Sequence, residues 1–211
     1  MIFHKLVVSA EGNFSYGKTF CAKKRRHIVM KLNFLVMAVL LSFCGLSGAW
    51  GAETALTSVG QSSDAMMVKL VLRALKITPD YDAAMKPEAL GMHKALIVVV
   101  GGSSKGLGAA GINKDDEVKR MAALCKTAEK KKIKILMMHV GGEGRRGTLS
   151  DFFIKAAVPY GDALILVDGA NRDGLFDKLV KPKNAKILTA PNVNGTKAPL
   201  QEALSSWGVT K

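Results

Sequence analysis

Residues 95–111 read ALIVVVGGSSKGLGAAG, and this stretch decides the fold. Five aliphatic residues, Leu96 to Val100, run straight into a segment of five glycines, two serines and Lys105. The run is too short for a helix and lacks polar alternation, which predicts a strand buried on both faces of a parallel sheet. Ligands of such sheets sit beyond the carboxyl ends of the strands. Glycines there let backbone N–H groups approach an anion, and Lys105 adds positive charge.

Outward from this strand, the chain alternates between short apolar runs and helical patterns. Strands are expected at Thr54–Val59, Ile77–Asp82, Leu96–Val100, Ile133–Val140, Ala163–Val167 and Ala185–Thr189. A helix to about Leu75, N-capped by Ser62 or Ser63, carries Asp64 in its first turn. It would bury Met66, Met67, Leu70, Val71 and Ala74. Pro87 opens a short helical turn. Asn113 caps a long helix with acids at its start and Lys130, Lys131 and Lys132 at its end, matching the helix dipole. Its inner face holds Val118, Met121, Ala122, Cys125 and Ala128, so Cys125 reads as a core residue. Further helices start at Thr148, Gly174 and Pro199, the first stopping at Pro159. The alternation predicts one doubly wound α/β domain over residues 53–211, Rossmann-like or flavodoxin-like. Its sheet would be mostly parallel, in the order 2-1-3-4-5, with right-handed crossovers and helices on both faces.

The amino-terminal part reads as an export signal. Lys31 precedes an apolar segment, Phe34 to Leu46, and Ala49-Trp50-Gly51 supplies small residues two apart. These are the three regions of a secretory signal peptide over residues 30–52, cleaved near Gly51 or Ala52. The apolar segment is shorter than the roughly 20 residues of a membrane span. The alternatives are a retained anchor and, on Arg25-Arg26, a twin-arginine signal. Residues 1–29 read as an upstream extension from a mis-called start. The expected location is secreted or periplasmic, with membrane contact only through the uncleaved signal.

Cleavage lowers the net charge from +14 to +8, with 24 Lys and Arg against 16 Asp and Glu in residues 53–211. The aromatics are few and scattered, so no stacking platform for nucleic acid is expected. Cys125 is then the one remaining cysteine, which excludes an intramolecular disulfide.

Four polar loops follow strands and would share the carboxyl edge. They supply Ser62 and Ser63, then Ser103, Ser104, Lys105, Gly106 and Gly108. Glu143, Arg145 and Arg146 come next, and finally Asn171. Hydroxyls, backbone N–H groups, a lysine and paired arginines suit a carboxylate, phosphate or sulfate. Ser62, Ser103, Ser104, Lys105, Arg145 and Arg146 are expected to hold the anion, with Glu143 and Asn171 setting specificity. Histidines His93 and His139 and a lone cysteine make no metal set. The serines at 103 and 104 lack the G-x-S-x-G context of a nucleophile elbow, and no triad is visible. No catalytic residue, metal or cofactor is assigned.

The segment Gly102-Ser103-Ser104-Lys105-Gly106-Leu107-Gly108 resembles the cofactor loop of short-chain dehydrogenases in its glycine spacing. That family places the loop after its first strand and pairs it with a tyrosine and a lysine, which Tyr81 and Tyr160 here do not reproduce. Over residues 54–190 the chain resembles a family of small exported bacterial α/β proteins carrying a domain of unknown function. The motifs are GQSSD, VVVGGSSKGLGAAGI, HVGGEGRRG and DGANRDGLF. This resemblance implies the fold and export and leaves the activity open. The expected function is therefore a small-ligand-binding domain with an anion site. The alternatives are a hydrolase, a transferase or a nucleotide-dependent enzyme, and a module that docks a protein partner.

Overall fold

Aliphatic and β-branched runs too short for helices form one six-stranded sheet. In the computed structural model, which describes residues 52–209, the strands are β1 (Thr54–Val59), β2 (Asp80–Tyr81), β3 (Ala95–Val100), β4 (Lys134–His139), β5 (Ala163–Val167) and β6 (Lys186–Ala190). The expected signal peptide and upstream extension lie, apart from Ala52, outside the described residues. All strands pair in parallel in the order β2-β1-β3-β4-β5-β6. This is the expected flavodoxin-like order, with β6 at the far edge.

Six helices cover the sheet: α1 (Asp64–Ala74), α2 (Ser104–Ala109), α3 (Lys114–Lys130), α4 (Thr148–Ala157), α5 (Leu175–Val180) and α6 (Lys197–Ser206). Alternate residues of β3 feed two cores. Leu96, Val98 and Val100 pack with Met121, Phe153 and Phe176 from α3, α4 and α5. Ile97 and Val99 pack with Val68, Leu72, Leu200 and Leu204 from α1 and α6. Burial on both faces explains why β1, β3 and β5 are buried along their whole lengths. The chain leaves β1 toward one face and β3 toward the other, so the switch point lies between these two strands. Among the described residues no helix is long and apolar enough to cross a membrane.

Three local expectations are corrected. The second strand is only two residues long, because Lys76 turns the chain at φ +61° and Pro79 has no N–H to donate. The glycine-rich segment is partly the short helix α2, whose N-cap Ser103 accepts a hydrogen bond at Oγ from Gly106 N. Helix α1 is rotated from the expected face. It buries Ala65, Val68, Val71 and Leu72, and leaves Met66, Met67 and Leu70 about half exposed. Apolar residues occur on both sides of α1, so periodicity alone does not choose. The buried face is the one that packs with Ile97 and Val99 of β3 and Leu200 and Leu204 of α6, while Lys69 lays its ammonium 4.7 Å from the Tyr81 ring centroid.

A buried ion pair fixes the carboxyl end of β1. The chain turns there at Gly60 (φ +83°) and Gln61 (φ +55°). A Cβ on Gly60 would stand 2.5 Å from the Gly101 carbonyl oxygen, so glycine is required by both conformation and space. Fully buried Glu117 on α3 accepts from Gly60 N (3.0 Å) and Gln61 Nε2 (3.0 Å) through Oε1. Arg120, one turn on, donates from Nε to Glu117 Oε2 (2.7 Å), from Nη2 to Ser58 O (2.7 Å) and from Nη1 to Met85 O (2.8 Å). Removing one member of a buried pair strands the other. Glu117→Ala is expected to cost about 3–5 kcal/mol in urea denaturation; a loss below about 1 kcal/mol would show that the turn stands without this brace.

Cys125 on α3 is fully buried. Burial, with Glu129 adding to it, pushes its thiol up to about 12. It should resist thiol reagents at pH 8 in the native protein and label only after denaturation, as read by peptide mass mapping.

Candidate functional site

The sheet brings the loops after β1, β3, β4 and β5 to one edge, as the alternation requires. Their side chains divide into those used by the fold and those left available.

On the β4–β5 side nearly every charge is engaged. Arg146 donates from Nε to Asp151 Oδ1 (2.6 Å) and from Nη2 to Asp151 Oδ2 (3.1 Å). It also donates from Nη1 and Nη2 to Asp173 (3.2 and 2.8 Å) and from Nη1 to Ala170 O. Its guanidinium carbon lies 5.4 Å from the Phe176 ring centroid. All five donors are thus used within the protein, and Arg146 ties the β4 loop and α4 to the β5 loop. Asn171 is engaged by the first turn of α5: its Oδ1 accepts from Phe176 N and its Nδ2 donates to Asp177 Oδ2, each at 2.9 Å. Glu143 pairs with Arg172 at 2.5 Å on the surface.

Histidine and serine positions bear on catalysis. His139 is fully buried, its Nδ1 2.9 Å from Val100 O and its Nε2 3.2 Å from Gly142 O. His93 is at the opposite edge, with Nε2 2.9 Å from Asp80 Oδ2. Among the described residues neither His139 nor Glu143 hydrogen-bonds a loop serine, the contact that the alternative reading as an enzyme looks for. Among the described residues no group of three or more His, Cys, Asp or Glu side chains could hold a metal ion.

At the switch point the arrangement is different. The β1 and β3 loops are joined by a bridge between Gln61 and Gly102 and by Ser103 N donating to Gly60 O (2.8 Å). Gly102 N donates to Ser150 Oγ (3.0 Å), which ties in α4. A Cβ on Gly106 would stand 2.0 Å from Gln61 O, so this glycine admits the β1 loop rather than a phosphate. Gly108 faces open space. Ser62 is buried, and its Oγ accepts from Asp64 N (3.3 Å). Ser63, Ser104 and Lys105 are exposed.

Arg145 reaches across from the β4 loop. Its stem lies against Gly141, where a Cβ would stand 2.2 Å from Arg145 Cβ and Cγ. Its Nη2 donates to Asp64 Oδ1 at 3.3 Å, and its side chain is 49% exposed. Asp64 is the residue that pattern reading missed as a site residue. An acid directly after two serines, opening the helix on one side of the switch point, was the available signal.

A doubly wound parallel α/β domain with a polar switch-point edge is the class that this geometry defines. The chain belongs to the family DUF6305, a domain of unknown function, whose family model matches residues 51–204. Comparison with curated proteins yields no match. Among solved structures, AlinE4, an SGNH-hydrolase family esterase, is similar over 72% of this chain and 92% of its own, at 14% identity and a TM-score of 0.29. A mutant of the same esterase aligns with the same figures.

The Arg146 network carries a pH signature. Hydrogen bonds from Arg146 hold the Asp151 carboxyl below its ordinary range and, with the Leu175 amide, hold Asp173 at about 2. Both folded values are depressed, so their stabilisation is present above about pH 4 and is lost as pH falls toward 2. Urea midpoints measured between pH 5 and 2 should fall in the wild type. They should fall less steeply in Arg146→Ala, which starts lower at neutral pH; parallel profiles would remove the network as the cause.

Proposed function

We propose that this is an exported domain that binds a small ligand through an anionic group at the switch-point edge. Arg145 is the main anchor, with Lys105 and the hydroxyls of Ser63 and Ser104 beside the same junction of the β1 and β3 loops. The observation that carries this reading is the state of Arg145. Arg146 has all five donors occupied, whereas the Arg145 guanidinium has, among the described residues, one partner at 3.3 Å and keeps the rest of its fork for a ligand. Lys105 is exposed and makes no ion pair among the described residues. Ser103 supports the site from below as the cap of α2. Export rests on Lys31, the apolar segment Phe34–Leu46 and the small residues at its end.

A thermal-shift panel on the purified protein tests the reading with phosphate, sulfate, small carboxylates, amino acids, nucleotides and nicotinamide cofactors. A ligand at one hundred times its Kd adds about 2.7 kcal/mol of stability, a shift of several degrees. Stabilisation by a small anion is expected, and it should vanish in the double variant Lys105→Glu, Arg145→Gln. Glutamine at 145 avoids placing a second carboxylate against Asp64. Unchanged anion affinity in the folded double variant would refute the site.

A further inference from the structure

We propose that the outer face of α1 docks on an anionic lipid bilayer. The helix lies flat on the surface, with Met66, Met67 and Leu70 at the acyl boundary and Lys69, Arg73 and Lys76 at the headgroups. This face is separate from the anion-binding reading of the carboxyl edge and does not depend on it.

A surface helix of an α/β domain ordinarily has one apolar stripe, turned to the sheet. Helix α1 has two. Ala65, Val68, Val71 and Leu72 fill the core, while Met66, Met67 and Leu70 are 47%, 48% and 55% exposed. Leu70 stands one turn from both methionines, so the three make one continuous patch. Scattered exposed apolar residues are ordinary, but a second stripe on one helix marks an interaction surface.

The charge around the patch selects its occupant. Lys69 and Arg73 on α1, and Lys76 just beyond it, are in no ion pair among the described residues. The one acid of α1, Asp64, is buried and paired with Arg145. Acids on adjoining elements are engaged: Glu53 with Lys94, Asp80 with His93 and Glu202 with Lys186. Asp82 accepts from the Ala84 amide at 2.9 Å. A second copy docking through the same face would set these cations against each other with no carboxylate between them. The complement is therefore anionic and apolar at once.

Shape favours lipid over an acidic protein. A helix on the domain surface presents a ridge, and a stable protein interface needs about 800 Å² on each side around a close-packed core. Three half-exposed side chains do not supply that core. A fluid bilayer moulds itself to a ridge, and apolar side chains flanked by cations combine the two attractions that hold an interfacial helix on anionic lipid. The long stems of lysine and arginine keep their charges at the phosphates while the methionines enter.

Methionine oxidation by hydrogen peroxide, mapped by peptide mass, reads this face directly. Met92 is the internal control: it is 96% exposed and follows Leu90, which packs in the core on the other side of the sheet. Vesicles of phosphatidylcholine and phosphatidylglycerol in equal parts should slow oxidation of Met66 and Met67 at least about fivefold and leave Met92 within about twofold. Pure phosphatidylcholine should protect little. Salt near about 1 M, where the Debye length is about 3 Å, should release the protection. The double variant Leu70→Asp, Arg73→Glu replaces two exposed side chains and should lose protection while keeping the wild-type thermal melt. Arg73→Glu alone should lose part of it. Unchanged oxidation with anionic vesicles would overturn the proposal, as would equal slowing of Met92 or protection retained in the folded double variant. Vesicles captured through residues 34–46 alone leave Met66 and Met67 reactive, which also overturns it. Protection by polyglutamate but not by vesicles would give the face to an acidic protein instead. Protection that rises with protein concentration alone would give it to a second copy, and either result overturns the lipid.

Discussion

The constraint on which the carboxyl edge depends is the anchoring of the Gly60–Gln61 turn by Glu117. Two successive residues in the left-handed region would not hold that shape on local energetics alone, since only the first is glycine. Glu117 holds them from beneath, and Arg120 ties the carboxylate to the end of β1 and to the segment around Met85. With this turn fixed, the bridge from Gln61 to Gly102 sets the β3 loop, and Ser150 sets α4 against it. The position of Asp64 at the start of α1 follows from the same turn. A change in one α3 carboxylate therefore propagates to every loop at the switch point, although Glu117 touches no ligand position.

The architecture was legible because it rests on features that one-dimensional pattern captures. Short apolar runs, alternating with capped helices, admit few parallel arrangements, and β1, β3 and β5 lie within a residue of their expected bounds. The rotation of α1 was not legible, because DAMMVKLVLRA is apolar on two faces and packing against β3 and α6 selects between them. Helix α2 was hidden by two glycines, Gly106 and Gly108, whose low helix propensity is overcome by the Ser103 cap and by close packing on Gln61.

The site was half legible for a different reason. Sequence identifies which residue types occupy an edge, but not how they divide their hydrogen bonds. Arg145 and Arg146 are adjacent and chemically identical, yet one has its fork filled by Asp151 and Asp173 while the other rests on one oxygen of Asp64. Asn171, expected to set specificity, turns its side chain to the first turn of α5. The acids responsible, Asp151, Asp173 and Asp177, lie in helix first turns or just before them, where an acid is ordinarily assigned to the helix dipole.

This division has a functional meaning. The β4–β5 half of the edge is locked by paired charges and gives a rigid wall, whereas the β1–β3 half keeps one arginine, one lysine and one unsatisfied acid. Unspent polarity concentrated beside a braced turn is what a binding site needs, because the ligand then meets positioned groups without paying to order them. The two adjacent arginines differ in how they are held: Arg145 rests on Asp64 through one hydrogen bond of 3.3 Å, whereas Arg146 is fixed by two aspartates. An arginine held by one long bond can be drawn off by a competing acceptor, while one shared between two carboxylates cannot leave without stranding both.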